Sequence, residues 1–200
     1  MTGVQTCALP ISAADQILIA TLYSAISPGT ERAFLEAAPG TGTAARGFPF
    51  QPGYSNIARV AAVGADVTRF RVGQIVASLQ AHVSHALMPE TIGPGRPPEK
   101  YRAQFRSPIT GDGTFAPLHY LWPTPEGLDA SAMKQCAAFN IASVGITGAR
   151  VAKIELGEGV VVLGLGPVGL IAAWAAKASG GFPVVGVDPA PSRRALAARY

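Results

Sequence analysis

Val160-Val161-Val162-Leu163-Gly164-Leu165-Gly166-Pro167-Val168-Gly169 decides how the last part of this 200-residue chain folds. Its opening apolar run, without polar alternation, predicts a strand buried on both faces of a parallel sheet. The three glycines that follow have separate duties. Gly164 permits a tight turn, Gly166 leaves the main chain bare enough for a diphosphate to approach, and Gly169 lets the next helix lie close to the strand. That helix is predicted over Pro167 to Ser179, with Pro167 in the first turn, where its missing N–H is not needed. Unpaired first-turn amides and the positive end of the helix dipole make an anion site without any basic side chain.

The helix closes on Lys177 and the stop signal Gly180-Gly181. A second strand is predicted over Pro183 to Val187 and ends at Asp188, about 20 residues beyond the last glycine, where an acid can accept from the adenosine ribose hydroxyls. Strand, glycines, helix, strand and acid in register form the first half of a Rossmann dinucleotide-binding unit. The expected cofactor contacts are Gly164, Gly166, Pro167, Val168, Gly169, Asp188 and Arg193. A carboxylate at position 188 repels a 2′-phosphate and favours NAD, while Arg193 and Arg194 close behind keep NADP open. An S-adenosylmethionine-dependent methyltransferase also runs strand, glycines, helix, strand and acid, and Asp188-Pro189 would suit it. Such enzymes carry an acid just before the first glycine, however, and Val162 and Leu163 are apolar.

Towards the amino terminus the signals change. From Asp15 to Glu90 they are strands and turns with no long helix: Ile17 to Tyr23, Ile57 to Val63 and Gln74 to Ser78, parted by Gly64-Ala65-Asp66 and Val72-Gly73. A small curled β domain is expected. Gly93 to Pro117 is rich in Gly, Pro and charge, with Arg96, Lys100, Arg102 and Arg106 interleaved with Tyr101 and Phe105. It reads as a surface insertion or lid, to which no chemistry is assigned. Leu128 to Leu156 turns helical, with Asp129 or Ser131 as caps and Met133, Ala137, Ile141 and Val144 on the apolar face. The expected plan is a β-rich domain over 12–127, a linking helical region over 128–158 and a partial dinucleotide-binding domain over 159–200.

The first eleven residues, Met1 to Ile11, resemble the translation of a sequencing-adapter oligonucleotide and are set aside. The helix begun at Ser192 stops in mid-pattern, so the expectation is a fragment cut at both ends. A net charge of +4, with scattered basic residues, is no nucleic-acid footprint. Cys7 and Cys136 are too few for a disulfide framework, which fits the cytoplasm. No apolar stretch reaches the roughly 20 residues of a membrane span.

A β-rich domain joined through Leu156-Gly157-Glu158-Gly159 to a Rossmann unit resembles the medium-chain dehydrogenase/reductase superfamily, with its GroES-like amino-terminal domain. The carriers are Ser27-Pro28-Gly29-Thr30-Glu31, Pro52-Gly53-Tyr54, the string from Ala58 through Val63-Gly64, Val67, Phe70 and Val72-Gly73, and Pro125-Glu126-Gly127-Leu128. The first of these is similar to the threonine dehydrogenase and bacteriochlorophyllide dehydrogenase branch. The resemblance implies an NAD(P)-dependent oxidoreductase that moves a hydride between nicotinamide and a carbonyl, alcohol or activated alkene of a small-molecule substrate. A relative that binds nucleotide without turnover is the alternative. A homodimer of the parent protein is also implied, with no nucleic-acid or membrane partner.

The zinc-dependent members place metal ligands where this chain has Ser27 or Pro28, Tyr54 and approximately Asn140. None is a thiolate, imidazole or carboxylate, so no metal is expected. His82 and His85 are three apart, a spacing that on a strand turns them to opposite faces, and they are read as ordinary polar packing. Cys136 is read as a small core residue. Without zinc, the substrate oxygen must be polarised by hydrogen-bond donors. Thr30 and Tyr54 are the expected donors, with Glu31 orienting Thr30 or relaying a proton. Packing of the Tyr54 ring and an ion pair from Glu31 to Arg32 or another basic group are the alternative roles.

Overall fold

The structure is a computed structural model that describes residues 13–36, 52–90 and 121–200, which divide after Ala138 into two compact units. The adapter-like segment with Cys7, and the 93–117 insertion, lie outside the described residues.

The first unit is built on a five-stranded antiparallel sheet in the order β4-β1-β2-β3-β5. Its strands are β1 (Gln16–Ser24), β2 (Asn56–Val63), β3 (Ile75–Ser78), β4 (His85–Pro89) and β5 (Leu121–Pro123). Ile17 stands opposite Val63 on one side and Met88 on the other. The β1–β2 register slips between Leu18 and Ile19 and again between Thr21 and Tyr23. Such irregularities sharpen strand twist and bend, and so allow the sheet to curl over its own core. Ile17, Ile19, Ala58, Val60, Phe70, Val76, Met88 and Leu121 form that core. Each of its larger aliphatic side chains contributes about 1.5–3 kcal/mol of transfer free energy.

One element departs from the strands and turns expected here: α1 (Pro28–Leu35) is a helix. Its start has two physical causes. Pro28 occupies the first helical position, and the Glu31 carboxylate reaches back to accept the Ser27 N–H at 2.8 Å, satisfying an amide that the helix end would otherwise leave bare. The linking helical region also differs from a single helix. It breaks into α2 (Ala130–Cys136) and α3 (Phe139–Ala152), and the division between units falls in the break. Asp129 caps α2, its Oδ1 accepting from Ala132 N at 2.8 Å. Ser131 lies inside the helix.

The second unit contains α3, β6 (Val160–Leu163), α4 (Pro167–Ala178), β7 (Val184–Val187) and α5 (Pro191–Ala197). β6 and β7 pair in parallel from Val160 opposite Val184 to Leu163 opposite Val187, as the buried-run signature predicts. The second half of that expectation fails: Val161 is 62% and Leu163 80% exposed. Helices pack on one face of this two-stranded sheet, and among the described residues no element of the unit covers the other. No helix among the described residues is long and apolar enough to cross a membrane.

Candidate functional site

In the second unit the site is a turn with almost no side chains. Gly164 leaves β6 at φ +91°, in the left-handed region that only glycine adopts cheaply, while its N–H donates to Val187 O at 2.7 Å. Leu165 turns inward and is buried. Gly166 precedes α4 with extended backbone and no side-chain cap, and a Cβ there would meet nothing within 4 Å. Pro167 and Val168 follow in the first helical turn. A Cβ at Gly169 would lie 1.8 Å from Gly164 O, so the helix start and the strand end are packed main chain to main chain. The first-turn amides after Pro167, those of Val168 and Gly169, have no intrahelical partners. They make a bare cradle suited to an anion.

Asp188 closes this turn from below. Its Oδ2 accepts the Leu165 N–H at 2.8 Å, its Oδ1 the Ala190 N–H at 2.8 Å, and Arg193 Nη1 lies 3.4 Å from Oδ2. The Leu165 amide first, then Ala190, and last the Arg193 guanidinium hold the carboxyl pKa below the ordinary aspartate value, against the opposing effect of burial. The side chain is 1% exposed. Asp188 therefore braces the glycine turn with acceptors that a ribose would otherwise use, and Oδ1 retains one free lone-pair direction. Arg194 is turned to the main chain, donating to Asp188 O at 2.6 Å and Pro189 O at 2.9 Å. A cavity of about 310 Å³ lies between α4, β7 and α5, lined in part by Trp174, Lys177 and Tyr200. It shares Leu165 with the turn but none of its glycines.

In the first unit, polar side chains from four elements converge. The Tyr54 hydroxyl donates to Thr30 Oγ1 at 3.2 Å, joining the turn before β2 to α1. Next to Thr30, the buried Glu31 holds His82 Nε2 at 3.2 Å from both carboxylate oxygens. His82 Nδ1 in turn pairs with Ser24 Oγ at the end of β1. The His82 N–H donates to Pro52 O at 2.8 Å. Gly53 has φ +101°, and a Cβ there would stand 2.6 Å from His82 N, so the Pro52-Gly53-Tyr54 turn sits flush on the histidine. Beneath it, Ser55 Oγ donates to Ala137 O at 2.6 Å, and Asn56 Nδ2 donates to Gln80 O at 3.0 Å. The turn is thus tied down on both sides.

Of the expected catalytic residues, Tyr54 is hydrogen-bonded to Thr30, and Glu31 follows Thr30 on α1. Glu31 does pair with a basic group, the alternative role named for it, but that group is His82; Arg32 bridges to Glu36 at 2.7 Å. His82 is the member that sequence reasoning missed. The two histidines do not share a strand: His82 lies in the loop before β4, and only the exposed His85 belongs to it. No local pattern links His82 to a carboxylate 51 positions away. Of the positions where zinc-dependent proteins of the resembled family hold metal, Ser27, Pro28 and Tyr54 lie in the first unit and Asn140 in the second. No group of three or more His, Cys, Asp or Glu able to hold a metal ion occurs among the described residues. The imidazole and carboxylate of His82 and Glu31 are paired with each other. Among the described residues this leaves two such donors together, one fewer than the three protein ligands of a catalytic zinc.

No protein-family model matches the chain. It is 31% identical over 150 residues to the sorbitol dehydrogenase of Bacillus subtilis, a match that covers 72% of this chain and 41% of that enzyme. With the L-threonine 3-dehydrogenase of Stenotrophomonas maltophilia it shares 30% identity over 162 residues, covering 73% of this chain and 42% of the enzyme. Among solved structures, a Sinorhizobium meliloti protein with NADP bound, provisionally named a zinc-binding dehydrogenase, superposes with a TM-score of 0.67 at 21% identity, covering 95% of this chain and 54% of that one. The chain spans less than half the length of the curated relatives it matches.

Proposed function

From a chain that belongs to the medium-chain dehydrogenase/reductase superfamily, with a GroES-like β unit followed by the first strands of a Rossmann unit, we propose an NAD(P)-dependent oxidoreductase that works without catalytic zinc. The observation that carries the reading is the uncovered turn from Gly164 to Gly169 at the head of α4, where a diphosphate finds amide donors and no side chain in its way. The bound nicotinamide would supply the hydride chemistry. Gly166 clears the approach, Gly164 allows the turn and Gly169 the close packing of α4 on it, Pro167 and Val168 set the first helical turn, and Asp188 fixes the turn from beneath. The acid at 188 favours NAD, while Arg193, 3.4 Å from it, offers a 2′-phosphate its nearest cation.

In place of a metal, hydroxyl donors serve the reacting oxygen of a carbonyl or alcohol. Tyr54 donates to Thr30, which leaves the Thr30 proton free to point at that oxygen. As the oxygen gains negative charge it takes the Thr30 proton, and Thr30 takes the proton of Tyr54. Glu31, next on α1, is the buried base whose charge state sets the field around this pair. The substrates are small molecules, and the two cysteines of the chain suit the cytoplasm.

The test is hydride transfer from labelled NADH or NADPH across a panel of aldehydes, ketones and quinones. Deuterium delivered to a carbonyl carbon supports the oxidoreductase. Binding of dinucleotide without any transfer would reduce the protein to a nucleotide-binding relative.

A further inference from the structure

Every hydrogen bond around His82 can be assigned from acceptor chemistry alone. A carboxylate accepts and never donates, so the two contacts from Glu31 at 3.2 Å require the ring proton on Nε2. Nδ1 then depends on Ser24, whose hydroxyl has two places to send its single proton. It reaches Nδ1 of His82, and it also lies 3.4 Å from Ser55 O. When the ring is neutral, Ser24 donates to Nδ1. When the ring is a cation, Nδ1–H donates to Ser24 Oγ and the hydroxyl turns to the Ser55 carbonyl. Both charge states of the imidazole are therefore partnered at both nitrogens without movement of any heavy atom. An ordinary packing histidine has one such state.

The two ends of this line differ in access. Ser24 is exposed, whereas Glu31 is 8% exposed and lies next to Thr30 on α1. The charged group paired with the ring is Glu31. Tyr54, on the turn that sits against the ring, is the titratable neighbour from that side.

We propose that His82 is a positioning residue that relays protons between solvent at Ser24 and the buried Glu31 carboxylate. In the inward direction Ser24 takes a proton from water and passes its own to Nδ1, and the ring gives its Nε2 proton to Glu31. The net change is one proton gained by Glu31 and one lost by water or buffer, and no redox partner is involved. The relay rests on the oxidoreductase reading only for its purpose, since a carbonyl reduction consumes one proton from solvent per hydride.

The test uses the full chain labelled with ¹⁵N and needs no turnover. Long-range ¹H–¹⁵N spectra should show His82 as the Nε2–H tautomer when neutral, with the exposed His85 as the reference. Exchange of the His82 ring proton with water should slow severalfold in Ser24→Ala and recover in Ser24→Thr, which keeps the hydroxyl. A neutral Nδ1–H tautomer, or exchange untouched by Ser24→Ala, overturns the relay. If exchange behaves as expected and hydride transfer is never seen, the oxidoreductase reading falls and the relay stands. If hydride transfer is present but its solvent isotope effect and pH profile are the same in Ser24→Ala, the relay has no part in it.

Discussion

The main-chain N–H of Leu165 donates to Oδ2 of Asp188 at 2.8 Å, so the acid at the end of one parallel strand holds the glycine turn at the end of the other. This contact joins the two halves of the motif read from the sequence, and it gives the acid a structural duty in addition to any role at a ribose.

The pH dependence of that brace has a definite sign. The folded-state pKa of Asp188 is lowered, so above the unfolded aspartate value of about 4 the carboxylate is charged in both states and its stabilising contribution is whole. As the pH falls from there through the lowered folded value, the contribution is lost. Urea midpoints for the chain should therefore drop over that acid window. In Asp188→Asn the part due to this group disappears, because the amide offers one acceptor oxygen and no charge. An identical acid slope in the two proteins would show that the brace carries no charge-dependent stability.

Gly166 and Gly169 are chemically alike but should respond to alanine in opposite ways. At Gly169 the new methyl meets the Gly164 carbonyl at 1.8 Å, backbone against backbone, and the unit is expected to lose about 1–3 kcal/mol or more. At Gly166 the methyl meets nothing within 4 Å, so the fold should be retained. What it blocks is the approach of the diphosphate, and dinucleotide affinity should fall by about tenfold or more, which is 1.4 kcal/mol. Chemical unfolding and a fluorescence titration on the same two variants separate the effects. Unchanged affinity in Gly166→Ala would remove the phosphates from this turn.

The second unit was legible because its information is local: strand, glycines, helix and acid lie within some thirty residues and each has its own steric reason. The first unit was legible as β structure, since Ile17, Ile57 and Val76 announce strands by residue type. The α1 helix was not, because Ser27-Pro28-Gly29 reads equally as a turn, and the Glu31 side chain that completes its start is a tertiary-scale choice between Arg32 and His82. The exposure of Leu163 was invisible for a related reason. An apolar run states that a strand suits burial, and what covers it depends on elements elsewhere.

Ser55→Ala tests whether the turn that carries Tyr54 is held from beneath. Ser55 Oγ donates to Ala137 O at 2.6 Å in a buried setting, and deleting it leaves the carbonyl without that donor. A loss of about 1–3 kcal/mol is expected. Crystal or NMR structures should show a looser Pro52-Gly53-Tyr54 turn. Full stability with an unmoved turn would mean that Ala137 finds another donor, and that Tyr54 is held in place without the Ser55 contact.

Tyr54→Phe and Thr30→Val each delete one hydroxyl while keeping the shape of the side chain, so they test the donor pair rather than its packing. If Thr30 faces the oxygen and Tyr54 stands behind it at 3.2 Å, Thr30→Val removes the donor itself and should lower kcat by about 10²–10³, the size seen when an oxyanion donor is lost. Tyr54→Phe leaves Thr30 in place but without its proton source, so its loss should be smaller and should deepen as the pH rises and solvent protons grow scarce. The double variant should cost little more than Thr30→Val alone, because the second hydroxyl acts only through the first. A fully additive double variant would mean that the two hydroxyls reach the substrate independently. Equal kcat in all four proteins would remove the pair from the chemistry and require another donor for the reacting oxygen.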